Sequence, residues 1–394
     1  MIKIDNSNIV GVSLGNTQFS KIYKGVDLYW SKTPSLIQVD IEFREGVISM
    51  AVNGVVYNEP TTIYVEYKST VEWNATLSDG YEYAITNGTV IINEKKIYTI
   101  KAGNPLNEIW YRTEDNTPIS LSYSIGMYIT SYDNSNMNID LISNEYDSNS
   151  GYCKLKVDKD IVYWNPRNTT GYSLFYNKNI KSIDYIPETI ESIGKYFITT
   201  SSINKLEFLK IGDLPNLKSI DERFYYNSFA TNYGNSNQTI SNFELGNMNQ
   251  LESIGDYFIY VYSSSNYTIN KITINKIKIG NTPSLKTIGN YFIGVETGAG
   301  NYPEATLTID SLELGDMSNV ETIGSYFFGC KDTGGKGTPK LIINSFRLPS
   351  MPKLKSVGEG AFNGITVNSI YVPTDCYDLY CNLFSNVKSK FVKI

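Results

Sequence analysis

One sequence phrase is written five times between Leu206 and Gly364, and it constrains the fold more than any other feature. The copies read LKIGDLPNLKSIDERF, FELGNMNQLESIGDYF, IKIGNTPSLKTIGNYF, LELGDMSNVETIGSYF and FRLPSMPKLKSVGEGAF. The second apolar residue of each opening is Ile211, Leu245, Ile279, Leu314 and Leu348, at spacings of 34, 34, 35 and 34. The pairs Leu217/Ile220, Leu251/Ile254, Leu285/Ile288, Val320/Ile323 and Leu354/Val357 keep step. So does an aromatic knob at Phe224, Phe258, Phe292 and Phe327, with Phe362 one residue late. IESIGKYF, Ile190 to Phe197, is a shorter earlier copy. Repetition at this period predicts a solenoid in which equivalent side chains stack into one continuous core. A single copy has too few apolar side chains to offset the entropy of ordering its backbone, so each must lean on its neighbours.

Two strand-like pieces are legible in each copy: an alternating opening such as Phe243/Leu245 or Ile277/Ile279, and the L-x-x-I segment. The residues after the knob, YYNSFATNYGNSNQT, IYVYSSSNYT, VETGAGNYPEAT and CKDTGGKGT, read as inserted loops. Their Ser, Gly, Asn and Tyr content suits an adaptable recognition surface. They nominate Tyr225, Tyr226, Tyr233, Tyr260, Tyr262, Tyr267 and Tyr302 as candidate binding residues.

Composition narrows the chemistry. The 394 residues carry a net charge of −6, which disfavours a nucleic-acid partner. Histidine is absent, which removes Ser-His-Asp, Cys-His and HExxH arrangements. Asp213, Asp221, Glu222, Asp316 and Glu359 recur at matched repeat positions and read as turn residues, not a catalytic pair. No phosphate-cradling glycine motif or paired CxxC is present, and Cys153, Cys330, Cys376 and Cys381 are too scattered for a disulfide framework, so free thiols are expected. The expectation is a non-enzyme without metal or cofactor. The N-terminus lacks a basic, then apolar, secretory pattern, and no apolar run is long enough to span a membrane.

Upstream, residues 1–32 alternate around Gly15-Asn16 and Gly25-Val26, as a small β-meander does, with Ile22, Tyr23, Leu28 and Trp30 as its anchoring residues. Residues 33–103 are strand-length pieces separated by Gly, Asn and Asp, the pattern of a β-sandwich, with Trp73 as its core aromatic. Residues 104–178 are irregular; Asp133, Asn134, Asn136 and Asn138 lack the glycine and terminal Glu of a calcium loop and read as solvated. Residues 179–371 are the repeats. In 372–394, Pro373-Thr374-Asp375 opens a short helix with Tyr377, Leu379, Tyr380 and Leu383 on its apolar side, followed by a last strand.

Three resemblances follow from these residues. The L-x-x-I-G-x-Y-F repeat, the lead-in NEIWYRTEDNTPIS and the closing V-P, helix and strand resemble BspA-like leucine-rich repeat proteins from about 104 to 394, although Tyr-Phe mostly replaces the family's Ala-Phe. That likeness implies an N-terminal cap at 104–178, repeats at 179–371 and a C-terminal cap at 372–394. The phrase VNGVVYNEPTTIYVEYKSTVEWNATLSDGYEYAITNGTVIIN resembles PEGA-like and bacterial immunoglobulin-like spacer modules. The string V-x-L-G-x-T-x-x-x-K-I-Y-x-G-x-x-L-x-W is similar to short N-terminal modules of tailed-phage structural proteins. Together they imply a mainly β virion protein, made in the host cytoplasm. It would be a tail or head fibre or decoration, oligomeric in the particle, held to other virion proteins by residues 1–32. Its repeats would bind a host-surface glycan or protein. A bacterial BspA-like cell-surface adhesin is the alternative.

Overall fold

The structure, a computed structural model, describes residues 12–14, 17–19, 21–24, 27–31, 36–44, 46–77, 85–121, 125–130, 139–164, 174–175, 178–200, 206–229 and 233–394. Asp133, Asn134, Asn136 and Asn138 lie outside the described residues. The chain is mainly β and divides into two compact units, 1–105 and 106–394.

The first unit begins with two antiparallel hairpins. Val12–Leu14 pairs with Thr17–Phe19, and Lys21–Lys24 with Asp27–Ser31, setting Ile22 opposite Trp30 and Tyr23 opposite Leu28. Two further sheets share one core. Val47–Val52 lies between Val55–Tyr57 and Thr70–Leu77, and the latter also pairs with Asn87–Ile91. In the other sheet Leu36–Phe43 pairs antiparallel with Thr61–Glu66 and parallel with Tyr98–Ala102. Alternating residues turn Val39, Ile41, Met50, Val52, Val71, Trp73 and Ile100 inward.

The second unit contains a β-solenoid of about four turns. Each full coil supplies three strands. The coil that starts at Asn235 runs Asn235–Leu245, Ser253–Ile254 and Ile259–Ser263. The next runs Ile269–Ile279, Thr287–Ile288 and Ile293–Thr297. Equivalent strands pair in parallel and in register, giving sheets of ten, eight and five strands. The third sheet corrects the loop reading of the residues after the knob. Tyr225–Phe229, Ile259–Ser263, Ile293–Thr297 and Phe328–Asp332 are stacked strands, and the Asn/Thr residues that follow extend the ten-stranded sheet. The cause is an in/out alternation rich in Ile, Val and aromatic residues, with Tyr in outward places where a loop composition is also plausible.

The interior is a set of vertical columns. Phe197, Phe224, Phe258, Phe292 and Phe327 stack at ring-centroid separations of 4.7, 5.0, 5.1 and 5.4 Å. Phe362 leaves the column because Tyr326 N–H bonds to Glu359 and Phe328 N–H to Ala361, which puts Ala361 under Phe327 and Phe362 against Phe328. A buried polar column runs inside: Asn270 Nδ2 donates to Asn227 Oδ1 at 2.7 Å, and Asn227 Nδ2 to Thr200 Oγ1 at 2.9 Å, while Asn270 Oδ1 at its end meets no hydrogen-bond partner among the described residues. At one corner Asn247, Asn281 and Asp316 donate their backbone N–H to Asp213, Asn247 and Asn281 side chains, so these matched Asp and Asn residues bridge coils.

Two outer columns alternate in sign. Glu191, Lys218, Glu252, Lys286, Glu321 and Lys355 occupy one position, with ion pairs at 2.7, 3.3 and 2.6 Å for Glu191–Lys218, Glu252–Lys286 and Glu321–Lys355. Lys210, Glu244, Lys278 and Glu313 sit in register on the ten-stranded sheet. One exposed pair contributes little, but a slip by one coil would set like charges face to face along both columns.

The ends are closed by non-repeating strands. Glu108–Thr113, Leu141–Asp147 and Tyr152–Val157 extend the ten-stranded sheet antiparallel at its N-terminal end, contributing Ile109, Tyr111, Leu155 and Val157 to the common core. At the other end the helix Tyr377–Leu383 buries Tyr380, whose hydroxyl donates to Pro349 O at 2.7 Å, and Phe391–Lys393 pairs with Ser369–Val372. All four cysteines are free.

Corner glycines set how closely coils approach. A Cβ on Gly280 would fall 2.5 Å from the carbonyl carbon of Gly246, whereas one on Gly212, at the start of the row, meets nothing within 4 Å. Gly280→Ala is therefore expected to destabilise the chain by about 1–3 kcal/mol, and Gly212→Ala to be neutral or to stabilise by roughly 0.4–1 kcal/mol. Urea midpoints of the two variants check this; equal shifts would contradict close corner stacking.

Candidate functional site: two tyrosine rows

Seven tyrosines in the solenoid hold positive φ, a conformation that costs a bulky residue on the order of 1–3 kcal/mol and is worth explaining wherever it recurs. They fall in two rows. Tyr233, Tyr267 and Tyr302, at φ 59°, 53° and 56°, precede the long strands of successive coils. Tyr196, Tyr257, Tyr291 and Tyr326, at 58°, 60°, 53° and 54°, precede the phenylalanine column, and Arg223, at 61°, takes the place of a tyrosine between the first two.

The first row is the exposed one. Tyr233, Tyr267 and Tyr302 are 74%, 50% and 60% exposed. Tyr233 and Tyr267 stack at 5.4 Å and 14°, and Tyr267 and Tyr302 lie at 5.8 Å and 33°. An Asn-Tyr pair builds each step. Tyr233 N–H donates to Asn266 O and Tyr267 N–H to Asn301 O, while Asn301 N–H donates to Asn266 Oδ1 at 2.7 Å. Lys336 Nζ closes the row by donating to Asn301 Oδ1 at 3.1 Å. The three phenol hydroxyls make no hydrogen bond to any described residue.

The second row is more buried and packs around Arg223. Arg223 lies 4.9 Å from the Tyr196 ring centroid and 5.0 Å from that of Tyr257, and donates to Tyr196 Oη at 2.6 Å and Glu222 Oε1 at 2.8 Å. Tyr257, Tyr291 and Tyr326 stack at 5.2 and 4.8 Å. Tyr260 Oη donates to Glu296 Oε2 at 2.7 Å. Burial first, then the Glu296 carboxylate, raise the Tyr260 phenol far above its ordinary value; the Tyr291 phenol is raised by burial and by the same carboxylate. The Tyr260 hydroxyl thus serves as a protonated donor.

The residues nominated from sequence divide accordingly. Tyr233, Tyr267 and Tyr302 form one exposed row. Tyr226 and Tyr262 are partly buried on the third sheet, with Tyr226 stacked on Tyr260 at 6.0 Å. Tyr225 and Tyr260, only 0% and 4% exposed, are packing residues here: Tyr225 points inward and its hydroxyl accepts from Thr200 Oγ1, while Tyr260 is covered by its tyrosine neighbours. Their rings are closed to an outside partner. Sequence reading passed over Tyr196, Tyr257, Tyr291, Tyr326, Arg223 and Glu296, although the tyrosine before Phe197, Phe258, Phe292 and Phe327 was an available signal. For Ile22, Tyr23, Leu28 and Trp30 the structure describes strand pairing alone.

Among the described residues no cluster of acidic or cysteine side chains could hold a metal ion, and no helix is long and apolar enough to cross a membrane. What the first row offers is a line of unpartnered hydroxyls and half-open aromatic rings on a rigid support. No family model matches the chain, and no curated protein matches it.

Burial pushes the Tyr225 phenol up to about 12. Because the folded-state value is raised, its stabilising contribution is fully present below the unfolded value, near 10, and is lost as pH rises through about 12. Tyr225→Phe is expected to remove on the order of 2–3 kcal/mol of the alkaline loss of stability, at about 1.4 kcal/mol per pH unit. Urea melts between pH 9 and about 12 test it; identical pH slopes in variant and parent would contradict it.

Proposed function

We propose that this chain is a non-enzymatic attachment protein of a tailed-phage virion. Its N-terminal hairpins hold it to other virion proteins, an immunoglobulin-like unit serves as spacer, and its BspA-like solenoid binds a host surface. The observation that carries the binding part is the exposed row of Tyr233, Tyr267 and Tyr302, in ring contact from coil to coil, whose hydroxyls bond no described residue. Tyrosine supplies a large amphipathic contact at low entropic cost, because only two torsions need be fixed. A row held by parallel strands is pre-organised, so little ordering cost is left for binding. The anchoring part is supported by the likeness of residues 12–30 to phage N-terminal modules and by their pairing as two short hairpins, which need a further surface for stability.

Labelled chain and a Tyr233→Ala/Tyr267→Ala/Tyr302→Ala variant, incubated with a panel of intact bacterial strains, test the binding part. At least one strain is expected to retain the parent and to bind the variant about tenfold less or weaker; equal retention of both would refute a role for the row. For the anchoring part, deletion of residues 1–32 is expected to abolish incorporation into particles, and unchanged incorporation would contradict it.

A further inference from the structure

The tyrosine row borders a polar face. Outward residues of Asn235–Leu245, Ile269–Ile279, Glu304–Leu314 and Thr338–Ile343 continue from it in three registered lines, Asn235–Ile269–Glu304–Thr338, Asn237–Lys271–Thr306–Lys340 and Thr239–Thr273–Thr308–Ile342. Lys271 and Lys340 are exposed and make no ion pair with a described residue, and Lys336 stands at the end of the row. Against these three cations the adjoining part of the face carries one carboxylate, Glu304, on a chain whose net charge is −6.

We infer that this face binds a linear acidic polysaccharide whose chain runs along the solenoid axis, with one sugar unit against each tyrosine. Three observations favour that occupant. The same group recurs at 5.4 and 5.8 Å, so the face reads a polymer that itself repeats, on the scale of one sugar unit. Neighbouring rings cover both faces of Tyr267 and one face each of Tyr233 and Tyr302, so along the row edges and hydroxyls point outward; that suits hydrogen bonding to sugar hydroxyls better than stacking of successive nucleobases, which need open ring faces. The lines beside the tyrosines are mostly hydroxyl, amide and ammonium, with the carboxylate of Glu304 and two aliphatic side chains, Ile269 and Ile342, among them, so few of the large apolar anchors on which protein partners depend face outward. The lysines match carboxylates spaced along the polymer.

This inference rests on the surface-binding reading, and the experiment separates the two. Calorimetry of the full chain uses galacturonate oligomers, neutral cello-oligosaccharides and single-stranded oligothymidylate as probes. Galacturonate is expected to bind more tightly than either other probe, with affinity that falls as salt rises and that stops growing once the oligomer spans three tyrosines. Tyr267→Ala, and separately Lys271→Glu with Lys340→Glu, are expected to weaken it about tenfold or more, the lysine variant without moving the urea midpoint. Equal binding of neutral and acidic sugars, binding of oligothymidylate as tight, or indifference to both variants overturns the inference. If the chain binds bacterial cells but galacturonate neither binds nor competes, the inference fails and the attachment reading stands. If no cells are bound, the reading fails and takes the inference with it.

Discussion

Vertical stacking of equivalent side chains, one coil above the next at the spacing of paired parallel strands, is the constraint on which the rest of this molecule depends. The phenylalanine column from Phe197 to Phe327 holds that spacing from inside, and the corner glycines permit it by keeping side chains out of the gap. Burial of this apolar area supplies the driving force, but it is non-directional. Direction comes from the groups around it: registered backbone bonds, the asparagine and aspartate bridges at the corners, the buried Asn270–Asn227–Thr200 chain, and the two columns of alternating charge. These weak terms cost little when satisfied in register and much when slipped, so they select one stacking over its neighbours.

The same stacking explains the tyrosines. A ring at positive φ is strained by itself, yet a ring of the next coil lies over it and their contact offsets part of that cost. In the second row the offset is complete enough to bury Tyr291 and to enclose Arg223 between aromatic faces. In the first row it is partial, and the rings stay exposed with free hydroxyls. Strain that packing does not consume is what distinguishes Tyr233, Tyr267 and Tyr302 as a site.

Much of the scaffold was legible from the repeat, because apolar periodicity reports directly on the columns: Leu251, Ile254 and Phe258 are fully buried or nearly so, as their spacing implies. The third strand of each coil was not. Tyr225-Tyr226-Asn227 reads as a polar loop until its alternation is aligned with Ile259-Tyr260-Val261 below it, which shows that the first and third positions face inward. Without that strand Tyr225 looks exposed, and Tyr260, in the outward place, is covered instead by the rings of Tyr257 and Tyr291. The alternating charges at Glu191, Lys218, Glu252 and Lys286 were in plain view, but a search for chemistry scans for clusters, and a sign that inverts every period is visible only when copies are compared position by position.

The central claim is that core stacking sets the spacing of the tyrosine row and that this spacing reads the ligand. A crystal structure of the full chain soaked with a galacturonate oligomer tests it most directly. The account predicts density for a sugar chain along the solenoid axis, one unit beside each of Tyr233, Tyr267 and Tyr302, with carboxylates toward Lys271 and Lys340. An oligomer lying across the strands, or bound on a face away from the row, would contradict it.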